Sequence, residues 1–358
     1  MGQTGSLRRI GNTCASPFIQ LRTGGLPIGG RLPSCPTSYE RQVDNRLLCR
    51  RTCPLQETRV AIASRRSILS VDVEDYFHVE AFSGIVDRAD WESYPSRVEA
   101  NTKRLLDLFD EMNVRTTCFI LGWVAEREPK LVAEIVRRGH EPACHSYWHR
   151  MITRLTPQEF REDTLRSKDC IEQAAGERIF GYRAPTFSIT EKSSWAPEIL
   201  AETGFRYDSS IFPVKHDLYG VPHAPREPFR LDTPSGPLDE YPMTTFRMGF
   251  GPNMPVAGGG YLRIFPYWYT SMGVKRAWRE GLPVITYLHP WEIDPEQPRL
   301  NAKLKSRLRH YTNLGKMRDR LRKLVALGEF TSFRDSGIAP GDTKFTWSTK
   351  AEQAAAVS

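Results

Sequence analysis

Nowhere in this chain do eighteen apolar residues run together, so no membrane-spanning helix is expected. The N-terminus also lacks the apolar core of a secretory signal, which makes the cytoplasm the expected compartment, with association with the inner membrane as the alternative. Cysteine is sparse and odd in number, seven in 358 residues. Cys118, Cys144 and Cys170 sit in strand-like or helical runs, as small core residues do, and not as a disulfide framework. Lysine is missing altogether from residues 1–66, which hold 11 Arg and only three acids. That stretch accounts for the whole net charge of +8; residues 67–358 balance 39 basic against 39 acidic side chains. Nucleic-acid binding thereby loses its main support. A phosphate loop is missing too: Gly258-Gly259-Gly260 is followed by no Lys-Ser/Thr pair and no helix-opening context. Close approach of backbone to a ligand, or a tight turn, remains for that run.

Residues 1–66 are rich in Gly, Pro, Arg and Ser without a sustained period, and read as a disordered leader or an over-extended start. The pattern then becomes regular. Strands are expected at Ser67–Val73, Val114–Leu121, His140–Cys144, Ile179–Arg183, Phe205–Asp208 and Val284–Leu288. Helices alternate with them: one opened by a capping box at Ser96 and Glu99, one over Pro129–Arg138, one behind the Thr156–Glu159 capping box, one over Pro197–Thr203, and one over Tyr267–Glu280. Residues 215–265 break into Pro- and Gly-rich loops with short strands, 301–327 form a basic helical segment, and 336–358 read as a tail. Alternating strands and helices imply an α/β fold with a parallel sheet and right-handed crossovers. The expected organisation is a leader over 1–66 and one domain over 67–335, with its motif core at 67–295 and a helical part at 296–335.

The polar residues of interest all follow strands: Asp72, His145, Arg183, Asp208 and His289. In barrels and open parallel sheets alike, the C-terminal strand ends form the site. His145 and His149 lie four apart, the spacing that brings two imidazoles onto one face of a helical turn and lets them grip a divalent metal. The third ligand is expected from Asp72-Val73-Glu74-Asp75, with Asp72 as base, Asp75 as the metal carboxylate and Glu74 as the competing ligand. Arg183 can hold a carboxylate in a bidentate grip and keep it ionised. His289 suits a general acid, with Asp208 placed to hydrogen-bond its ring. Trp148, Trp291 and Tyr261 are candidates to stack on a sugar ring.

Taken together, SVDVEDYF, HSYWH, YRAPTFS, YDSSIFP and YLHPWE resemble the polysaccharide deacetylase group, the NodB-homology or carbohydrate esterase family 4 proteins, over about residues 67–295. DVEDYF, the run Gly258-Gly259-Gly260-Tyr261-Leu262-Arg263 and HPWE are similar to the exosortase-linked branch in bacterial exopolysaccharide clusters. The resemblance implies a distorted (β/α) barrel, often seven-stranded, and a divalent metal, most often Zn2+. It also implies hydrolysis of N-acetyl groups on a polysaccharide or oligosaccharide. Its acid pair is commonly two adjacent aspartates, base then ligand; here Val73 and Glu74 separate Asp72 from Asp75. Two rival readings are a related amidohydrolase on small cyclic or linear amides and a non-catalytic glycan-binding module.

Overall fold

A computed structural model describes residues 66–256 and 258–347. Its first strand, β1 (Arg66–Val73), is buried at every position after the first. Such a continuous buried run is the mark of a parallel strand covered on both faces. Further parallel strands follow: β2 (Thr117–Ile120), β3 (Glu141–Cys144), β4 (Gly181–Tyr182) and β5 (Tyr207–Asp208). Then come the hairpin β6 (Phe229–Thr233) and β7 (Gly236–Glu240), the small pair β8 (Thr245–Phe246) and β9 (Met254–Pro255), and finally β10 (Val284–Leu288) and β11 (Glu329–Thr331). The main sheet runs β10-β1-β2-β3-β4-β5-β7-β6, parallel except for the last pairing, and β11 pairs in parallel with the start of β1.

The helices between strands are α1 (Val98–Met112), α2 (Gly122–Arg127), α3 (Pro129–Arg137), α4 (Pro157–Ala175), α5 (Ala196–Glu202), α6 (Gly259–Ile264), α7 (Tyr267–Arg279), α8 (Leu304–Tyr311) and α9 (Met317–Val325). Two separate buried clusters show how the sheet is shaped. One packs sheet against helices and includes Leu69, Val71, Leu105, Phe109 and Ile135. The other joins Ile68, Phe119, Ala143, Tyr207, Tyr241, Ile285 and Tyr287, taken from strands far apart in the sheet order. Alternate residues of a strand point to opposite faces, so side chains of β1, β2, β3, β5 and β10 meet only if the sheet curls around them. The two ends of the curl are joined at Thr244, whose N–H donates to Ile285 O (3.3 Å) while its Oγ1 accepts from Ile285 N (2.6 Å).

The α/β architecture with a parallel sheet is as the sequence predicts. A ladder closing a seven-stranded barrel is not present among the described residues; Thr244 makes the junction instead. The Thr156–Glu159 capping box forms, with Glu159 N donating to Thr156 Oγ1 and Thr156 N donating to Glu159 Oε2. The box expected at Ser96–Glu99 does not. Asp75, distant in sequence, caps α1: its Oδ2 accepts from Arg97 N (2.7 Å), Val98 N (3.0 Å) and Ser96 Oγ (3.0 Å). Strand β11 was not anticipated, and part of the expected tail is tied down, for Tyr241 Oη donates to Ile338 O and the Phe345 ring packs on Phe229. The expected leader, 1–66, lies outside the described residues except for Arg66. Among the described residues no helix is long and apolar enough to cross a membrane.

Candidate active site

The curled sheet places the C-terminal ends of β1, β3, β4 and β10 around a cleft of about 390 Å3, lined by Asp72, Glu74, His145, His149, Tyr261 and His289 among others. Five of the six are the residues expected from the strand ends and the acidic run; Tyr261 comes from α6.

The imidazole pair is built by a loop. Residues 145–149 are not helical: Ser146 (φ 64°) and His149 (φ 50°) take left-handed backbone conformations. That costs about 1–3 kcal/mol per non-glycine residue and persists only where the surroundings over-determine it. Asp163 of α4 does so, accepting from Tyr147 N (2.7 Å) and Trp148 N (3.2 Å). Arg88 adds bonds to the Trp148 and His149 carbonyls, and His149 N donates to Ser146 Oγ. The two rings end 5.2 Å apart. His145 Nδ1 donates to Arg183 O (2.9 Å), which fixes the tautomer and leaves Nε2 with its lone pair. Burial lowers the His145 pKa to about 4, against the upward pull of the Asp72 and Glu74 carboxylates, so the ring is neutral and fit to bind a metal.

Glu74 is the third member. One ligand atom from each of Glu74, His145 and His149 lies within 4.8 Å of the others, and all three residues are buried. Glu74 Oε2 stands 2.9 Å from His149 Nε2. Burial raises the Glu74 pKa, but the imidazoles of His149, His289 and His145 outweigh it and hold the carboxyl well below the usual range. His149 Nδ1 is a buried atom with no hydrogen-bond partner among the described residues, and Glu74 Oε2 has no partner there beyond the His149 imidazole. Orphaned polar atoms in a carboxylate–imidazole cluster are what a divalent cation would satisfy, and two His with one carboxylate form a donor set that zinc accepts. The expectation that Asp75 is the metal carboxylate is corrected here. With β1 ending at Val73, the chain turns so that Asp75 faces the N-terminus of α1, where its oxygens take backbone N–H groups.

Asp72 sits beside this cluster, 2% exposed. Arg183 Nη1 donates to its Oδ1 (2.8 Å) and to Ser70 Oγ (2.7 Å). The bidentate grip expected of Arg183 is not made: its remaining donors go to Ser209 O and Ser209 Oγ, and Phe119 lies 4.1 Å below the guanidinium. A fully buried arginine held on four sides fixes one oxygen of Asp72 and leaves the other toward the cleft.

His289 closes β10 with Nε2 3.6 Å from Glu74 Oε1 and 4.0 Å from Asp72 Oδ2. Its supporting carboxylate is Glu292, not Asp208. His289 Nδ1 donates to Glu292 Oε1 (2.6 Å), and Glu292 Oε2 accepts from Arg263 Nε (2.6 Å). Burial lowers the His289 pKa, but Glu292, Glu74 and Asp72 more than offset it and the net shift is upward. Asp208 lies in a separate buried cluster with Ser210 and Glu240, where burial lifts its pKa to about 6. Glu292 was readable three residues beyond His289 in HPWE, and Arg263 and Ser209 lie inside the quoted runs GGGYLR and YDSSIFP without a role attached; Asp163 carried no such signal.

Of the aromatic candidates, Tyr261 lines the cleft and its hydroxyl meets that of Tyr219 at 2.9 Å. Trp291 also lines the cleft, but it is only 4% exposed and its ring stacks on His289 and His310. Trp148 packs beside Tyr147 and Trp91, outside the cleft lining. Gly258 and Gly259 do make a close approach, to the Tyr287 ring: a Cβ on Gly258 (φ +113°) would stand 2.4 Å from Tyr287 Cδ1. Contrary to expectation the glycine run opens a helix, α6.

Parallel α/β architecture with carboxylates, imidazoles and a buried arginine gathered at the strand ends defines the class of this protein. Comparison with known proteins gives its relations. The family model "Polysaccharide deacetylase" matches residues 90–207, and a "Domain of unknown function (DUF3473)" model matches 209–336. The chain is 31% identical over 98 residues to a peptidoglycan-N-acetylglucosamine deacetylase of Bacillus cereus, covering 27% of this chain and 36% of the relative. A Mycobacterium smegmatis protein described as a polysaccharide deacetylase has a crystal structure similar at TM-score 0.50 and 20% identity, covering 78% of this chain and 95% of that one. Puue allantoinase is similar at TM-score 0.50 and 14% identity, over 76% and 89%. These structural likenesses speak to the fold alone. The chain spans about a third of the length of the first curated relatives. The likeness to polysaccharide deacetylases is thus carried by residues 90–207 and by relatives matched over part of their length.

Proposed function

We propose that this chain is a hydrolase that removes N-acetyl groups from amino sugars of a polysaccharide, releasing acetate and a free amine. The observation that carries this reading is one cleft holding Glu74, His145 and His149 together, with Asp72–Arg183 on one side and His289–Glu292 on the other. The polysaccharide deacetylase match over residues 90–207 supports it. We read residues 67–335 as the catalytic unit.

Glu74, His145 and His149 would hold a divalent cation, Zn2+ by the chemistry of the donors; bound there, it polarises the acetamide carbonyl and lowers the pKa of a water. The rest follows from the chain's own groups. Asp72, oriented by Arg183, takes the proton from the attacking water through its free oxygen. The water oxygen bonds to the carbonyl carbon. His289, protonated on Nε2 because Glu292 stabilises its cation, gives that proton to the departing nitrogen as the C–N bond breaks. Without it the amine is a poor leaving group. Tyr261, in the wall of the cleft, is placed to contact the sugar. The motifs DVEDYF, GGGYLR and HPWE lead us to a role in exopolysaccharide biosynthesis.

The deciding experiment is acetate release from a panel of N-acetylated oligosaccharides, with and without chelator, alongside allantoin-like amides. Chelator-sensitive acetate from the glycans is expected. Hydrolysis of the small amides alone would replace this reading with the amidohydrolase one.

A further inference from the structure

The charge balance of residues 67–358 hides an asymmetry. Residues 301–323 carry nine Lys and Arg against one acid, while the rest of 67–358 carries 30 basic against 38 acidic residues. Helix α8 and its N-cap residue carry four of these cations, Lys303 at the cap and Lys305, Arg307 and Arg309 in the helix, and none has a salt-bridge partner among the described residues. The helix rests on the fold through His310, whose Nε2 meets Gln297 Oε1 at 2.7 Å, while Ser306 on the same side is half-buried.

The opposite side should be the most polar part of a surface helix. Here it is Leu304 and Leu308, one turn apart, 69% and 59% exposed. Cations flank this ridge on both sides: Lys305 and Arg309 toward the cleft they help to line, Lys303 and Arg307 away from it. The cleft wall beside Lys305 continues the apolar character with Leu218 and Ile264, both more than 40% exposed.

We propose that α8 docks this rim on an anionic lipid bilayer. Leu304 and Leu308 enter the boundary of headgroups and acyl chains, and the flanking cations meet lipid phosphates. An outward leucine ridge between two rows of Lys and Arg has the composition of interfacial helices that lie in the membrane plane. Each cation near such a surface adds its own attraction to the anionic headgroups, weakened by salt. A polysaccharide acid would account for the cations but not for leucines aimed away from the cleft. A second copy of this chain would set one strongly basic patch against another in a symmetric contact, and the like charges would repel. The consequence is placement: the cleft mouth opens beside the bilayer, where an amino sugar linked to or emerging from a lipid would reach it.

This inference stands apart from the deacetylase reading, because its readout is binding. The full chain is sedimented with vesicles of phosphatidylcholine alone and with vesicles that also contain phosphatidylglycerol. Binding is expected to the anionic vesicles only, falling as salt is added. Leu304→Asn with Leu308→Asn, and separately Lys303→Glu with Arg307→Glu, should each weaken it at least about tenfold, with circular dichroism and any acetate release from soluble substrate unchanged. Equal binding by wild type and both variants would overturn the proposal, since another segment would then be responsible. So would equal binding to neutral and anionic vesicles, no binding, or a dimer that the leucine variant breaks without any lipid effect. If the leucine variant loses its helix signal, the charge-reversal variant and the salt dependence decide the matter alone.

Discussion

The imidazole Nδ1 of His289 lies 2.6 Å from Glu292 Oε1, inside a single turn in which the same oxygen also accepts the His289 backbone N–H at 3.0 Å. One carboxylate therefore fixes both the position of the ring and the atom that carries its proton. Arg263 holds the other oxygen of Glu292, and carbonyls of Arg309, His310 and Thr312 hold Arg263.

That arrangement predicts a pH effect. Glu292 is the largest of the influences raising the His289 pKa against burial. A general acid works while protonated, so activity is lost as pH rises through its pKa. Glu292→Gln should move the alkaline limb of the kcat/KM profile to lower pH and reduce kcat by about 10²-fold. Asp208→Asn should leave that limb in place. The pH–rate profiles of the two variants test both statements.

Glu74 and Asp75 make opposite predictions for metal content. Glu74→Gln should lower bound Zn2+ measured by mass spectrometry after dialysis. Asp75→Asn should keep the metal and lower Tm, because it removes the charge from a group accepting four hydrogen bonds at the α1 N-terminus and from Tyr76 N. The expected cost is about 1–3 kcal/mol. Metal loss in the Asp75 variant with retention in the Glu74 variant would return the ligand to Asp75.

Asp72→Asn should retain the metal and lose about 10²–10⁴-fold in turnover, the usual worth of a positioned base. Arg183→Met should do more damage to the fold than to metal binding. It strands a buried carboxylate, and breaking a buried pair costs about 3–5 kcal/mol. Calorimetry of the two variants separates the chemical role from the structural one.

Asp208 gives a stability prediction. Burial lifts its folded pKa from 3.8 to about 6, while the unfolded chain keeps the ordinary value. A raised carboxyl pKa means the folded state holds the proton longer, so this group's contribution declines as pH rises through that window. Asp208→Asn should flatten the fall in unfolding free energy between about pH 4 and pH 6, as read by urea denaturation at a series of pH values.

The order of strands and helices was legible from residue 67 onward because parallel strands buried on both faces are written as unbroken apolar runs, as in ILSV of β1 and VITYL of β10. The strand-end positions of Asp72, His145, Arg183 and His289 were legible for the same reason. What the sequence could not settle were matters of a single bond rotation or of a distant partner. Glu74 and Asp75 are neighbours of the same chemical type, and only the turn after Val73 decides which faces the imidazoles and which caps α1. The spacing of His145 and His149 suits a helix, yet Asp163 holds those residues in a left-handed loop with the same outcome for the rings. Asp208 was the support expected for His289, but Glu292, in the same turn as the ring, is the carboxylate bonded to it. Apolar periodicity fixes the faces of elements because it is a local property of the chain; the direction of a side chain at the end of an element depends on contacts made across the sheet, which only the folded structure specifies.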